Sequence, residues 1–326
     1  MNWSFYDVWN QSLDTHKDRV IEPRDYIWAS ELGGSFIDRF LLMKGVIPTN
    51  LPNMRSRRKF EAGNIWESIV GYVLLRAGIL QKGQEHLAYQ YPGMLKVTGK
   101  LDFIAGGKPD YEKSLALIDS ELSWLPEFIS ATAKGLVEKI KDQYPDGLKD
   151  IVLEIKSSSS FMFEVLERRG AQPQHELQIF HYLKSKDMDE GHIVYVCKDD
   201  ARLIETMVLN PSEVEDVYKE DIATLTGYYN ADQQPPLETP LVFSGKFSAN
   251  WKIAYSKYLT MLYGFKDQKE FDDKYKSTAE RWNRVLARAI DGKDMTKNNM
   301  AAIQEITAAG FNYDKILTEI KGTMKG

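Results

Sequence analysis

The sequence predicts a mixed α/β fold: a small central mixed sheet flanked by helices, with a helical N-terminal part and a helical C-terminal extension. Three observations carry this. Helical patterning dominates through about Gly93 and returns from Asn210 onward. Between them, GMLKVTGKLDFIAGG alternates at strand period, and so does Ile151 to Lys156. HIVYVC and ARLIETMVL, joined by KDD, read as an antiparallel hairpin.

Taken in order, Ser30 is placed to cap a helix through ELGGSFIDRFLLMKG, and a second helix spans roughly 57–80, ending near Gly78 and Gly83. In GKLDFI, Leu101 and Phe103 share one strand face, Lys100 and Asp102 the other. Residues 111–147 return to helical patterning and read as an insertion. In the next strand Ile151, Leu153 and Ile155 face one way; Val152, Glu154 and Lys156 face the other. Pro173 to Ser185 reads as a helix. WKIAYSKYLTMLYGF and STAERWNRVLARAI are amphipathic, and 291–299 is a polar connection before a last helical stretch. The expected organisation is a helical part over 1–56, a core over 57–209 and a helical extension over 210–326.

With 43% hydrophobic and 27% charged residues in 326, the chain can bury a sizeable core. No apolar stretch approaches the roughly 20 residues a membrane helix needs. The N-terminus has no basic segment followed by an apolar one, so secretion is not expected. Cys197 is the single cysteine. It cannot close an internal disulfide or hold a cysteine-ligated iron–sulfur cluster, and in HIVYVC it reads as a buried strand residue. The expected compartment is the reducing cytoplasm, or a host cell's cytoplasm for a virally encoded chain. The net charge of −5 weighs against a broad nucleic-acid-binding surface. A carboxylate metal site would concentrate negative charge of its own, which bound metal reverses. There is no P-loop: SGKFS lacks the upstream glycine.

Four elements carry candidate chemistry. Glu154 and Lys156, two apart, share a face of a strand otherwise made of Ile, Val and Leu. Asp102 likewise faces away from its apolar neighbours. Each, alone, also suits the polar face of an edge strand. Glu67 sits in a mostly apolar helix between Gly63 and Gly71, all on one stripe. A mid-helix glycine costs about 0.5–1 kcal/mol relative to alanine, so something must approach that face closely. Either a ligand or tight helix–sheet packing meets the requirement. Gln178 and Tyr182 share a helical face, with His175 three residues before Gln178.

The ordered set closely resembles the PD-(D/E)XK nuclease superfamily, and specifically its RecB-like exonuclease branch without the iron–sulfur cluster. The motifs are Gly63-Asn64-Ile65-Trp66-Glu67, Gly99-Lys100-Leu101-Asp102, Glu154-Ile155-Lys156 and Gln178-Ile179-Phe180-His181-Tyr182, within about residues 60–208. The resemblance implies a restriction-endonuclease-like core and one or two Mg²⁺ or Mn²⁺ ions. Asp102 and Glu154 would be the ligands, helped by Glu67 and the carbonyl of Ile155. It implies that Lys156 orients water and stabilises charge, and that Gln178 and Tyr182 orient the site and contact the DNA backbone, with His175 an additional member. The long Asp102–Glu154 spacing departs from the pattern.

Basic residues before the Glu67 helix, Arg55, Arg57, Arg58 and Lys59, suit either phosphates or a solvated face, and Arg168 and Arg169 are placed to meet DNA. Phe161, Met162 and Phe163 suit core packing better than base stacking. His16, His86 and His192 have no partners at metal-ligand spacing. The expectation is a metal-dependent deoxyribonuclease, an exonuclease of recombination or repair, with DNA as partner and no membrane. A second copy of the chain or a recombination protein would be a further partner. The alternatives are a structure- or site-specific endonuclease and a non-catalytic nucleic-acid-binding module.

Overall fold

The computed structural model describes residues 4–13, 21–124, 126–209 and 212–323; His16 lies outside them. In chain order the elements are α1 (Phe5–Leu13), β1 (Tyr26–Trp28), α2 (Phe36–Met43), α3 (Met54–Arg76), β2 (Leu80–Tyr89), β3 (Lys96–Gly107), α4 (Tyr111–Glu121) and α5 (Glu127–Gln143). They continue with β4 (Leu148–Ser158), α6 (Ser160–Arg169), α7 (Pro173–Lys186), β5 (Glu190–Cys197), β6 (Leu203–Leu209) and α8 (Ser212–Asn230). The last are β7 (Leu241–Phe243), β8 (Phe247–Ala249), α9 (Trp251–Ala254), α10 (Leu259–Tyr263), α11 (Gln268–Ile290), α12 (Lys297–Ala308) and α13 (Tyr313–Thr323). None of the described helices is long and apolar enough to cross a membrane.

The chain divides into two compact units. The first comprises Met1–Gly34, Met43–Gly45 and Pro52–Gln233. Its mixed six-stranded sheet has the order β1-β3-β4-β5-β6, with β2 also on β3. The restriction-endonuclease-like α/β class read from the sequence is the class observed. β3 is the organising strand. β2 runs antiparallel along one edge of it from Val97 to Ala105. The other edge is shared: β1 pairs parallel with Lys96–Thr98, and β4 pairs antiparallel with Phe103–Gly107. Between these two partners, Gly99–Asp102 faces a notch in the ladder. β4 and β5 are parallel, β5 and β6 antiparallel as the hairpin reading expected.

Strand parity places the core. Phe103, Leu153 and Ile155 pack on Leu74 of α3, with Trp66 and Val70 against the same cluster. The alternate residues face α7, whose Leu177, Ile179, Phe180 and Leu183 are buried. The insertion is the helical pair α4 and α5, closed by Ile118, Leu122, Ala133 and Val137.

Three local readings are corrected. Ser30 caps no α-helix: it lies in a 3₁₀ turn over Ala29–Glu31, and Gly33, at φ +69°, breaks the chain before α2 begins at Phe36. The second helix starts at Met54, where Asn53 accepts from the Ser56 N–H, and Gly78 at φ +72° lies just beyond its end at Arg76. In the second unit (Ser35–Leu42, Val46–Leu51 and Gln234–Gly326), the stretch read as one amphipathic helix is split into α9 and α10. Asp38 of α2 is the cause. Its carboxylate accepts the Ser256 hydroxyl and the Lys257 N–H, both at 2.8 Å, drawing that backbone out of the helix. This unit also contains the short hairpin β7–β8, and Leu241 and Phe247 from it join Trp282, Leu286, Ala302 and Ile306 in a core of their own.

Candidate active site

The notch on β3 gathers the candidate residues. The β3–β4 ladder stops at Phe103–Leu153, and past that point the Asp102 carboxylate stands in for the missing rung, accepting the Ile155 N–H at 2.8 Å. Glu154 is 2% exposed. Its Oε1 accepts from Lys156 Nζ at 2.6 Å and from Gln178 Nε2 at 2.7 Å. Lys156 Nζ also donates to Gln178 Oε1 at 2.9 Å, so one amide holds both members of the ion pair. Glu154 Oε2, though buried, has no hydrogen-bond partner. A buried carboxylate oxygen without a donor is costly unless something cationic meets it.

Tyr182 completes the layer. Its hydroxyl donates to the Lys100 carbonyl at 3.0 Å and accepts from Gln178 at 3.1 Å. The side chain is 1% exposed, so its place is to hold Gln178 and β3 rather than to meet a phosphate backbone. Gly99 is what lets it approach. A Cβ there would lie 2.7 Å from Ala29 Cβ and 2.8 Å from Tyr182 Cε1. Gly99→Ala is therefore expected to lower stability by about 2 kcal/mol and to cut activity through a displaced Tyr182. Matched melting and activity assays check this; wild-type values in both would refute the packing account.

The stripe on α3 also has a physical account. A Cβ on Gly71 would lie 2.7 Å from the Phe103 ring on β3, and one on Gly63 would lie 3.1 Å from Ser157 Oγ on β4. The two glycines let the helix cross from one strand to the other, so the close approach is helix–sheet packing. Glu67, midway between them, accepts a hydrogen bond from the Gln84 amide.

The electrostatics follow from burial. Asp102 is pushed up to about 8, first by desolvation, then by the charges of Glu154 and Glu67. Glu154 is raised by burial too, although Lys156 opposes the shift. His175 is held down to about 3 by burial and by the Lys156 charge, so it is neutral at working pH. Its Nδ1 meets the Tyr195 hydroxyl at 2.9 Å. Among the described residues no group of three His, Cys, Asp or Glu side chains is gathered closely enough to hold a metal ion. What is gathered is Asp102, raised in part by the Glu154 charge, Glu154 with its orphaned oxygen, and Glu67, whose charge raises both. An all-oxygen donor set of this kind fits a hard divalent cation.

The structure thus brings together Asp102, Glu154, Lys156, Gln178, Tyr182 and the Ile155 backbone, with Glu67 near enough for its charge to act on both carboxyls and His175 near enough to feel the Lys156 charge. Among the basic candidates, several have partners outside this set. Arg57 donates to the Pro52 and Leu13 carbonyls and Arg58 to Asn10, tying α3 to α1. Arg168 and Arg169 are exposed in the last turn of α6, with Arg168 Nε on the Glu164 carbonyl at 3.0 Å. Phe163 is buried, as core packing requires, but Phe161 is 72% exposed. His192 lies between Glu190 and Glu205, His86 is exposed, and Cys197 is fully buried. Sequence reasoning missed Gln84 and Tyr195. Nothing in a single strand sequence marks either, since their partners come from other elements.

No protein-family model matches the chain, and no curated protein matches it. Among solved structures, SSO0001 is similar at 14% identity with a TM-score of 0.44, over 81% of this chain and 98% of that one. An alkaline exonuclease (LHK-Exo) from Laribacter hongkongensis is similar at 10% identity with a TM-score of 0.33, over 64% and 89%. A phage-related exonuclease from Haemophilus somnus 129PT is similar at 13% identity with a TM-score of 0.36, over 63% and 94%.

Proposed function

We propose that the chain is a divalent-metal-dependent deoxyribonuclease, acting as an exonuclease on linear DNA. One observation carries this: the buried Glu154, with its orphaned Oε2, is clamped to Lys156 and Gln178 beside a second carboxyl, Asp102, at the place where two strands part. A purely structural ion pair is expected to satisfy both carboxylate oxygens, and has no use for a second buried carboxyl beside it that lacks a cationic partner.

Asp102, Glu154, the Ile155 carbonyl and Glu67 would hold one or two Mg²⁺ or Mn²⁺ ions. When bound, these supply the positive charge that draws a phosphodiester in and eases ionisation of the attacking water. Asp102 would bind in its ionised form, because a cation offsets the burial and, after it, the Glu154 and Glu67 charges that raise this carboxyl. Lys156, held at a set position by Glu154 and Gln178, presents its remaining N–H to the water or to the phosphoryl oxygens, where charge grows as the P–O bond breaks. Gln178 and Tyr182 maintain that geometry. The exonuclease part of the proposal rests on the motif resemblance.

The test is incubation of linear and circular DNA, each single- and double-stranded, with Mn²⁺ or with EDTA. Metal-dependent loss of linear DNA with circles intact is expected. Cutting of circles would replace the exonuclease reading with an endonuclease one. DNA binding without any metal-dependent cleavage would favour a binding module and end both.

A further inference from the structure

Gln84 interrupts β2 in a way its surroundings do not require. It lies mid-strand, between the paired Gly83–Phe103 and Glu85–Leu101, and so directly across from Asp102. Its φ is +59°, the left-handed region that non-glycine residues adopt at a cost. No turn is being made there, and the side chain is exposed, so neither chain reversal nor core packing explains the strain. The side chain does one thing: its amide donates to Glu67 Oε1. Strain retained at a single position, with its only visible return a hydrogen bond to a candidate ligand, points to function.

The consequence is directional. Glu67 comes from α3, while Asp102 and Glu154 come from β3 and β4, and among the described residues the hydrogen bond that orients the Glu67 carboxylate comes from Gln84 on β2. With Oε1 held by Gln84, Oε2 remains for a cation. A carboxylate ligand fixed through its second oxygen loses less freedom on binding, which is how outer hydrogen bonds strengthen metal sites.

We propose that Gln84 is a positioning residue for metal binding, holding Glu67 toward the site formed by Asp102 and Glu154. This rests on the metal-site reading above. The probe is Mn²⁺ itself, measured without DNA by titration calorimetry or by the loss of the free-ion paramagnetic resonance signal, together with thermal melting of the metal-free protein. Gln84→Gly removes the amide and also the strain. It is expected to bind Mn²⁺ about tenfold more weakly, while melting no lower than wild type, and by the removal of strain up to ~2 °C higher. Gln84→Glu, which sets a second carboxylate against Glu67, is expected to weaken binding as much or more.

A merely structural Gln84 would give the opposite pattern, a lower melting temperature with unchanged Mn²⁺ affinity, and that result would overturn the proposal. Asp102→Ala separates the two levels. If it abolishes Mn²⁺ binding while Gln84→Gly binds like wild type, the metal site stands and the role of Gln84 falls. If wild type itself binds no Mn²⁺, both fall together.

Discussion

Lys156→Ala is expected to reduce metal-dependent DNA cleavage about a thousandfold at saturating metal and substrate. The ammonium is the one cation within reach of Glu154 among the hydrogen bonds of the site, at 2.6 Å, and its other partner, Gln178, is 2.9 Å away. Removing it takes away both the donor proposed to meet the reacting phosphate and the charge that opposes the upward shift of Glu154. Burial already raises Glu154, and Lys156 is the leading influence opposing that rise. In the variant Glu154 is expected to take up a proton instead of remaining a buried anion with no cationic partner, and the cost in stability is expected to be roughly 1–2 kcal/mol rather than the 3–5 kcal/mol of a stranded charge. Lys156→Arg should recover only part of the activity, because a planar fork cannot occupy the same point between Glu154 and Gln178. Single-turnover rates and melting curves for both variants check this. Cleavage at the wild-type rate by Lys156→Ala would remove Lys156 from the mechanism.

What could be read in advance followed from periodicity. The alternation of Ile151, Leu153 and Ile155 with Glu154 and Lys156 told which side chains face the core, and the register with β3 and β5 agrees. The glycine stripe on α3 announced a close approach, yet not what approaches: Phe103 and Ser157, over thirty residues away in the chain. Long-range geometry was silent in the sequence. The notch at Gly99–Asp102 exists because β1 and β4 share one edge of β3, and no local pattern says that a strand has two partial neighbours. For Tyr182 helical spacing gave a face shared with Gln178 but not a depth; contact with DNA was what the resemblance implied, and the side chain is 1% exposed. Likewise the break between α9 and α10 depends on Asp38, 218 residues before Ser256.

The notch also decides how the protein should respond to pH. Asp102, ordinarily ionising at 3.8, is held up to about 8, chiefly by burial and then by Glu154 and Glu67. A carboxyl raised in the folded state leaves stability untouched below its ordinary value and lowers it as pH climbs from there toward about 8, since the unfolded chain ionises first. The metal-free protein should therefore lose stability across that window, by roughly 2 kcal/mol once solvent at the partly open notch is allowed for. Asp102→Asn keeps an oxygen for the Ile155 N–H and cannot ionise. Its metal-free form is expected to melt higher than wild type at pH 8, to match it near pH 4, and to show the flatter profile between. It should also lose the stabilisation that Mn²⁺ confers on wild type, along with about a thousandfold or more of cleavage activity. Melting curves from pH 4 to 9, with and without Mn²⁺, measure each part. A wild-type profile as flat as the variant's would refute the raised Asp102. A variant that Mn²⁺ still stabilises fully would move the metal site away from the notch. The two outcomes that agree with the proposal, a more stable protein and a dead enzyme from one oxygen-to-nitrogen change, have a common origin. The carboxylate is uncomfortable in the empty notch for the same reason that it binds a cation there.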